Sequence, residues 1–520
     1  MKPGRLLGLA GVVAALFAEG AGAAERTLTL TEAVTLALQR NEDLVIERHA
    51  STAARARLSG ARGAYDPRLT LDGGWRKARE PFNSSFSGAP AGEIAAELET
   101  SEAGVSLRQL LPTGGEIALR GSGGRETTDG TLAWLSPAHA TRAGVELRQP
   151  LLRDRSIDPV RLSVRVAHAG RRRAAASLRR TVTETLAAVE TAYWNLASIR
   201  LGVNVREQAV RLAEEQLAET RTRVSGGVAP QSELAQPRAE LERRRADLLA
   251  QREALTHADN ALKLLVLSDA DEAVWSESLV PVDSVALAVG PVDVAAALSR
   301  ALATRAELAE REAELARRHA ETAFARDGRW PALDAVVSYD RFGLSGSRNA
   351  AGSGAPVPPR LDGQLGRSFD VLGDGDFDAV RVALVLELPI LNRTARAEAT
   401  AARSVESQAE AALAKTRKAI RAEVLDAAAR LELAGQRIEA TRSGREAAEI
   451  QLSAERDRYA TGLSTNFLVL TRQNDLSRAR LDEISALTDY RTARTEMGRA
   501  TGALIEGRGI EIEGLEGVTR

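Results

Sequence analysis

Three aspartates in the segment 374–378 have the residue type and spacing best suited to chemistry in this sequence. Asp374, Asp376 and Asp378 stand at every second position, and closely spaced carboxylates suit a hard cation such as calcium. The segment lacks the glutamate that ends a complete calcium-binding loop. It also ends a stretch rich in Gly, Ser and Asp. We therefore interpret it as a polar loop, with ion binding as the alternative.

The remaining candidates for catalysis do not form a pattern. The five histidines are scattered along the chain, at His49, His139, His168, His257 and His319. Cysteine is absent, so there is no thiol nucleophile, thiolate metal ligand, disulfide or lipidated N-terminal cysteine. We therefore expect a protein that is not an enzyme, with no catalytic residue, no metal and no cofactor.

The charge composition argues against a nucleic-acid partner. Charged residues make up 27% of the chain but cancel to a net charge of −1, whereas nucleic-acid binders carry a basic footprint. The basic triplets 171–173 and 243–245 are interpreted as solvated helix faces, because short charge runs in helical patterns usually face water. Hydrophobic residues at 44% with only 3% aromatics favour long helices packed side by side.

The N-terminal segment has the pattern of a secretory signal peptide. Lys2 and Arg5 precede an apolar run from Leu6 to Phe17, and small residues follow at 21–23. We predict a signal peptide at 1–23. No later segment offers 18 uncharged apolar residues, so any passage through a membrane is expected to use strands.

Two related segments, about 223–234 and 458–470, interrupt long helical patterns and predict helix reversals. Gly227 and Gly462 are suited to the positive φ that ends a helix. The helices that follow are expected to begin at residues favoured at helix starts, namely Pro230, Ser464 and Thr465. The chain is thus predicted to contain two helical hairpins with equivalent tips.

The same order of features in both halves of the chain indicates an internal duplication, since a period this long does not fit a solenoid. The predicted organisation is a first repeat at 24–267, a linker at 268–292, a second repeat at 293–505 and a tail at 506–520. Each repeat contains two segments with the period of two expected of a strand, at about 68–76, 142–149, 332–342 and 379–388. Two further short segments, 105–108 and 117–120, predict an extra hairpin.

The alternation in these strands predicts one apolar and one polar face. Residues predicted to meet lipid are Leu69, Leu71, Val145, Leu147, Val382 and Leu384, and those predicted to face a lumen are Asp72, Glu146 and Arg381. Four strands cannot close a barrel, and open edges are not tolerated in lipid. Two or three copies of the chain are therefore expected to share one barrel.

The helical segments carry a coiled-coil pattern. Apolar residues recur every seven positions before the first tip, at Val182, Val189, Leu196, Val203, Val210, Leu217 and Val224. A strict seven-residue spacing predicts left-handed supercoiling. A periplasmic coiled-coil adaptor or scaffold without a channel would also explain these seams, but it would not explain four alternating strands.

Several motifs occur together in this chain. They are the two tip segments, LTEAVTLALQRN at 30–41, QPLLR at 149–153 and LPILNR at 388–393. With these motifs, nearly the whole mature chain resembles the TolC family of outer-membrane efflux and secretion channels. The resemblance implies a mainly α fold with a small β part. It also implies a homotrimer in which a 12-helix α-barrel continues a 12-stranded antiparallel β-barrel.

The family resemblance also implies a function and partners. The chain would be the outer-membrane exit duct of a tripartite efflux or type I secretion system, with a long periplasmic extension. Its partners would be outer-membrane lipid, a periplasmic adaptor (membrane fusion) protein and an inner-membrane RND pump or ABC transporter. Residues that would dock the adaptor lie at the tips, at Gly226, Gly227, Val228, Gly462, Leu463 and Ser464.

The resemblance places a gate where the tips converge at the periplasmic end. Some relatives carry two aspartates after the second tip glycine, where this chain has Leu468 and Thr471. We therefore expect a constriction closed by Phe467 or Leu468 and secured by a hydrogen bond between Tyr459 and Glu233. Such a gate predicts weak cation preference. The alternative is that Phe467 and Leu468 fill the seam of the hairpin.

Overall fold

The computed structural model describes residues 25–81, 83, 88–90, 93–228, 230–285, 290–352 and 356–510. The predicted signal peptide at 1–23 and the end of the predicted tail lie outside these residues. The described part is mainly helical with a smaller strand component, as predicted. The chain divides into two compact units, and each unit takes segments from both sequence halves.

The elements that the two halves share follow the same order, and each half also has elements of its own, such as β3 and β4 in the first half and α8 in the second. Those before the second half are β1 (Glu25–Leu28), α1 (Leu30–Arg40), α2 (Glu42–Arg62), β2 (Arg68–Arg79), β3 (Glu97–Leu110), β4 (Glu116–Thr128), β5 (Leu135–Pro150), α3 (Pro159–Ser225), α4 (Ala235–Val266), α5 (Glu272–Trp275) and β6 (Ser278–Pro281). Those that follow are α6 (Val294–Thr304), α7 (Ala306–Asp327), β7 (Ala332–Arg348), α8 (Leu365–Asp374), β8 (Asp378–Glu387), α9 (Arg393–Ala460), α10 (Asn466–Ala500) and α11 (Leu504–Gly507).

Helices α1 and α6 hold matching places in the two halves, and each begins at a polar cap. Before α1, the Thr29 hydroxyl accepts from the Glu32 backbone N–H at 3.2 Å, and the Glu32 carboxylate accepts from the Thr29 N–H at 2.8 Å. Before α6, the Asp293 carboxylate accepts from the Ala296 N–H at 3.0 Å. These bonds satisfy backbone donors that the first helical turn leaves without partners.

The predicted coiled-coil seam is buried along α3. Helix α3 has 67 residues and is about 100 Å long at 1.5 Å per residue. Five of the seven seam residues are buried, and they are Val182, Val189, Leu196, Val210 and Leu217. No helix in the described part of the chain is both long and apolar enough to cross a membrane.

A small parallel sheet that the sequence analysis missed ties the N-terminal strand to the predicted linker. Strand β1 pairs with β6, and the buried Tyr193 of α3 joins the end of β1 to the segment that follows β6. Its hydroxyl lies 2.9 Å from the Leu28 carbonyl oxygen and 2.6 Å from the Asp283 carboxylate. Burial, together with Asp283, raises the pKa of Tyr193 well above its usual value. The hydroxyl therefore stays protonated and holds these segments together.

Six strands, rather than four, form the large sheet. Their order is β2-β3-β4-β5-β7-β8, and every neighbouring pair is antiparallel. The segments predicted as an extra hairpin belong to β3 and β4, which are 14 and 13 residues long and lie within the sheet. The prediction of four sheet strands with a separate extra hairpin is therefore wrong in this respect: the hairpin was predicted, but it is part of the sheet. Only the most regular parts of β3 and β4 show clear alternation in the sequence.

The strand pairing gives the sheet one apolar face. Leu71 is opposite Val105, Leu107 is opposite Leu119, and Leu119 is opposite Val145. The face continues through Leu147, which is opposite Val337, and Val337 is opposite Val382. Directly opposite residues share a face, so all six residues predicted to meet lipid lie on the same side. Val382 and Leu71 are 74% and 73% exposed, so this face is open in the single chain.

The opposite face of the sheet is polar and carries ion pairs between neighbouring strands. Arg120 lies 3.2 Å from Glu146, which places a salt bridge between β4 and β5. Two further pairs join β5 to β7, and they are Arg142 with Asp340 at 3.0 Å and Arg148 with Asp334 at 2.6 Å. The predicted lumen residues Glu146 and Arg381 both lie on this face, since each is in register with Ser338.

Helix α8 packs against the far end of the apolar face. Ser368 bonds the Thr141 hydroxyl, and a Cβ at Gly343 would lie 1.9 Å from the Ser368 carbonyl oxygen, so only glycine permits this approach. Of the aspartates at 374–378, Asp374 ends α8, Asp378 begins β8, and Asp376 between them pairs with Arg360 at 3.0 Å. Across the described residues, no group of three or more His, Cys, Asp or Glu is placed to hold a metal.

Replacing Tyr193 with phenylalanine tests the junction at β1 and β6. The Tyr193→Phe variant leaves the Leu28 carbonyl and Asp283 without this partner, which costs about 1–3 kcal/mol. We expect a lower midpoint of urea unfolding in detergent, followed by circular dichroism. Tyr490→Phe is the matched control, because Tyr490 is 4% exposed and its hydroxyl bonds no described residue. Equal midpoints for the two variants would contradict the role of Tyr193.

Candidate functional site

The first tip ends α3 in a Schellman motif. Gly227 has a φ of +72°. The Val228 N–H donates to the Arg223 carbonyl at 2.9 Å, and the Gly227 N–H donates to the Val224 carbonyl at 3.1 Å. These two bonds satisfy carbonyls at the end of the helix. The predicted positive φ at Gly227 is confirmed.

The second tip repeats the same geometry at the end of α9. Gly462 has a φ of +77°. The Leu463 N–H donates to the Arg458 carbonyl at 2.8 Å, and the Gly462 N–H donates to the Tyr459 carbonyl at 3.0 Å. The predicted positive φ at Gly462 is also confirmed, and the two reversals match residue by residue.

The helices after the two tips begin differently from each other and from the prediction. After the first tip, Pro230 precedes a 3₁₀ turn at Gln231–Leu234, and α4 begins only at Ala235. The prediction that Pro230 opens this helix is therefore wrong by one turn. After the second tip, Thr465 precedes α10, but its side chain makes no capping bond with the described residues. The Ser464 hydroxyl instead bonds the Glu455 carboxylate.

Each tip exposes an apolar side chain directly after its glycine. Val228 is 72% exposed and Leu463 is 80% exposed, and both stand directly after the tip glycine. In a Schellman motif, an apolar residue at this position commonly packs on the residue five places earlier. Here those places hold Arg223 and Arg458. The two side chains are therefore available to a partner.

The tips are tied to each other, but through a different residue from the one predicted. Arg223 donates to the Tyr459 hydroxyl at 2.6 Å, and its guanidinium carbon lies 5.3 Å from the ring centroid. The predicted bond between Tyr459 and Glu233 is wrong. Glu233 is exposed in the 3₁₀ turn, and its side chain makes no hydrogen bond or ion pair with a described residue, whereas Arg223 lies in the last turn of α3 and bonds Tyr459. A second tie joins Asn466 to Thr220 at 3.3 Å.

The predicted gate residues Phe467 and Leu468 lie outside the seam of the second hairpin. They are 57% and 37% exposed. The buried position in this seam is occupied by Val469, which is 2% exposed and packs in one cluster with Leu452 and Leu476. The alternative that Phe467 and Leu468 fill this seam therefore does not describe the single chain.

A buried arginine near the tips corrects the prediction of a solvated triplet at 243–245. Arg244 is 4% exposed. It donates to the Glu240 carboxylate at 2.8 Å, and to three further acceptors: the Ala209 carbonyl at 2.8 Å, Gln473 at 3.2 Å and Asn474 at 3.1 Å. The missed signal is its place three residues after Leu241, which is a core position of the heptad. Arg244 thus joins α4 to α3 and α10.

The sequence matches the outer membrane efflux protein family over residues 116–266 and 297–503, which is more than half of the chain. The chain belongs to this family. The resemblance to TolC-family channels is therefore confirmed. As a member of the outer membrane efflux protein family, this chain is the exit duct of a tripartite efflux system. It resides in the outer membrane with a periplasmic extension. The alternative of an adaptor or scaffold without a channel is set aside.

Solved structures agree on the fold. The CmeC outer membrane channel of Campylobacter jejuni has a TM-score of 0.63 at 15% identity, with 91% of this chain and 85% of that chain covered. VceC from Vibrio cholerae has a TM-score of 0.62 at 17% identity, with 91% and 96% covered. The open state of MtrE from Neisseria gonorrhoeae has a TM-score of 0.61 at 18% identity, with 91% and 89% covered. No curated protein matches the sequence. The family is one of transport channels rather than enzymes.

The tip glycines provide a test of the reversals. A Cβ at Gly462 meets nothing within 4 Å, so Gly462→Ala acts only through the left-handed backbone, at about 1–2 kcal/mol. We expect partial loss of efflux, and near-complete loss with Gly462→Val, while the protein still reaches the outer membrane. The measurement is drug or metal export in cells, with membrane levels determined on the same cultures.

Gly444 is the matched control for this test. It lies within α9, and a Cβ there also meets nothing within 4 Å. Gly444→Ala should keep full activity, because alanine is favoured in a helix by about 0.5–1 kcal/mol. Full export by Gly462→Val, or equal loss from both alanine variants, would mean that the left-handed turn is not required.

Proposed function

We propose that three copies of this efflux protein assemble into one duct that receives substrate from an inner-membrane pump through a periplasmic adaptor. The observation that carries the proposal is the pair of exposed apolar surfaces on a single chain. One is the apolar face of the six-stranded sheet outside the part that α8 covers, and the other consists of Val228 and Leu463 at the tips. Exposed patches of this kind indicate membrane or protein partners.

The two open edges of the six-stranded sheet are evidence for a barrel wall that several copies of the chain form together. Among the described strands, β2 and β8 are the edges of the sheet. Every backbone N–H and C=O within lipid needs a hydrogen-bond partner, so open edges are not tolerated there. Pairing β2 of one copy with β8 of the next satisfies both edges. The apolar face then meets outer-membrane lipid, and the polar face with its ion pairs lines the lumen.

The tips support docking of the adaptor. Both tips present the same left-handed turn followed by an exposed apolar residue, so three copies offer six similar surfaces. The apolar side chains would serve as anchors, because burying an exposed aliphatic side chain contributes about 1.5–3 kcal/mol. The inner-membrane partner is an RND pump or an ABC transporter, reached through this adaptor.

The gate would be closed by apolar side chains at the second tip. Phe467 and Leu468 are exposed in the single chain, which leaves them free to pack against equivalent residues of the other copies. The bond from Arg223 to Tyr459 holds the two tips together and would have to break for them to separate. A constriction lined by apolar side chains closes by excluding water.

Substitutions at Leu463 test adaptor docking. Leu463→Asp should lower pump-dependent export to the level of a strain without the protein, while the membrane complex assembles normally. Leu463→Met should retain export, since it keeps the volume and the apolar character. Cross-linking to the adaptor provides the direct measurement. Normal cross-linking by Leu463→Asp would contradict docking at this side chain.

Substitutions at the hydrogen bond between Arg223 and Tyr459, which joins the two tips, test the gate. Tyr459→Phe removes the acceptor for Arg223, and we expect a higher resting conductance in planar bilayers. Glu233→Gln is the control and should leave conductance unchanged, because Glu233 does not contact Tyr459 in the structure. An apolar constriction also predicts weak block by trivalent cations. Tight trivalent block of the parent channel, or equal effects of the two substitutions, would contradict this gate.

A further inference from the structure

Strands β3 and β4 separate β2 from β5 within the sheet, and this order determines how many strands the assembled wall contains. Strand β2 pairs with β3 from Arg68 opposite Arg108 to Arg79 opposite Glu97. Strand β4 then pairs with β5. The hairpin therefore occupies the place where β5 would otherwise pair with β2.

The hairpin also has the same two faces as the other strands. Its residues on the apolar face include Val105 and Leu107 in β3 and Leu119 in β4, which are 43%, 37% and 47% exposed. On the polar face, Arg120 pairs with Glu146 of β5. A hairpin folded away from the wall would have no reason to continue both patterns in register.

The turn of the hairpin is fixed at the end of the sheet nearest the helices. The Gln149 side chain, near the end of β5, donates to the Thr113 carbonyl at 3.1 Å. Arg161 in the first turn of α3 holds the adjoining segment, since it donates to the Asp154 carbonyl at 2.5 Å. At Gly114, φ is +84°, and an added Cβ would lie 2.6 Å from that same carbonyl oxygen. The hairpin thus runs the full height of the wall.

We infer that the trimer closes a barrel of eighteen strands rather than the twelve implied by the family resemblance. The inference rests on the three copies of the proposed function, with six strands from each. Six is an even number, so β2 of one copy and β8 of the next meet as antiparallel strands, and the whole ring is antiparallel. Even-numbered antiparallel rings are the rule for bacterial outer-membrane barrels.

The helices that connect to the sheet set a perimeter that eighteen strands fit. Each copy has four such helices, α2, α3, α7 and α9, and twelve helices at 8–10 Å spacing make a ring of about 100–120 Å. Eighteen strands spaced about 4.8 Å apart and tilted by about 40° cover roughly 110 Å. Twelve strands at the same tilt would cover only about 75 Å and would need a steeper tilt.

The larger strand number widens the outer part of the duct. Barrel diameter grows roughly in proportion to strand number, so this barrel would be about one and a half times as wide as a twelve-stranded one at equal tilt. Its polar face would then line an open aqueous channel instead of filling the interior with side chains. The outer segment would admit bulky cargo, and size selection would fall to the tips.

Arginine substitutions in the full-length protein test whether the hairpin lies in the lipid-facing wall. Leu107→Arg and Leu119→Arg should reduce assembled complex in outer membranes about tenfold or more, as should Leu384→Arg in β8. The controls are Ser106→Arg and Ala383→Arg on the polar face, which should assemble normally. If Leu384→Arg fails while Leu107→Arg and Leu119→Arg assemble, the hairpin lies outside the lipid wall and the inference is overturned.

Cysteine pairs provide a second measurement that does not depend on a damaging substitution, because the natural chain has no cysteine. Leu71→Cys with Val105→Cys should form a disulfide within one chain, since these residues are direct partners. Leu71→Cys with Val145→Cys should not, because three strand spacings separate them by about 14 Å. A disulfide between positions 71 and 145 would show twelve-strand pairing.

The number of copies completes the test. Cysteines at 69, 71 or 75 combined with cysteines at 380, 382 or 384 should link neighbouring copies into a trimer, and native mass spectrometry should give three chains per complex. Two chains would give twelve strands and overturn both the inference and the proposed trimer. Three chains that conduct ions but show the 71–145 disulfide would overturn the inference alone.

Discussion

The need to satisfy backbone hydrogen bonds at the sheet edges is the constraint on which this protein depends. Strands β2 and β8 end the sheet among the described residues, and in the proposed membrane-spanning wall lipid would offer their N–H and C=O groups no partner. The apolar face of the same sheet is equally unsuited to water. One chain cannot meet either requirement alone. In the proposed duct, assembly is thus a condition of stability for the sheet, not a later addition to a finished fold.

The sequence predicted the elements whose pattern is strict. Heptads located the long helices, and alternation located β2, β5, β7 and β8. Strands β3 and β4 were recognised only in part, because glycines and charged residues beyond the regular segments interrupt their alternation. Strand β6 was missed entirely, since four residues ending in proline carry almost no periodic signal. A strand or helix is thus recognised from the sequence only when its regular periodic stretch is longer than the stretches that interrupt the period.

The candidate site at the tips could likewise be predicted only in part from the sequence. Gly227 and Gly462 could be predicted because a left-handed backbone has a strong residue preference. The partner of Tyr459 could not, because Arg223 and Glu233 are ten positions apart and only the three-dimensional path of the tip decides between them. Arg244 was assigned to solvent from its neighbours, although its heptad position indicated the core. Where charge and periodicity disagreed, periodicity was correct.

Arg244 has a mechanical consequence for the tips. It fills one buried position with four directional bonds, of which three reach α3 and α10 and the fourth goes to Glu240 of its own helix. Sliding α4 past its neighbours by a turn, about 5.4 Å, would keep the pair with Glu240 but break the bonds to α3 and α10. Leaving buried donors without acceptors costs about 1–3 kcal/mol. Bending the ends of the hairpins outward leaves these bonds in place. Arg244 therefore fixes the axial register of α4 against α3 and α10. The helix ends between Arg244 and the tips can still bend apart.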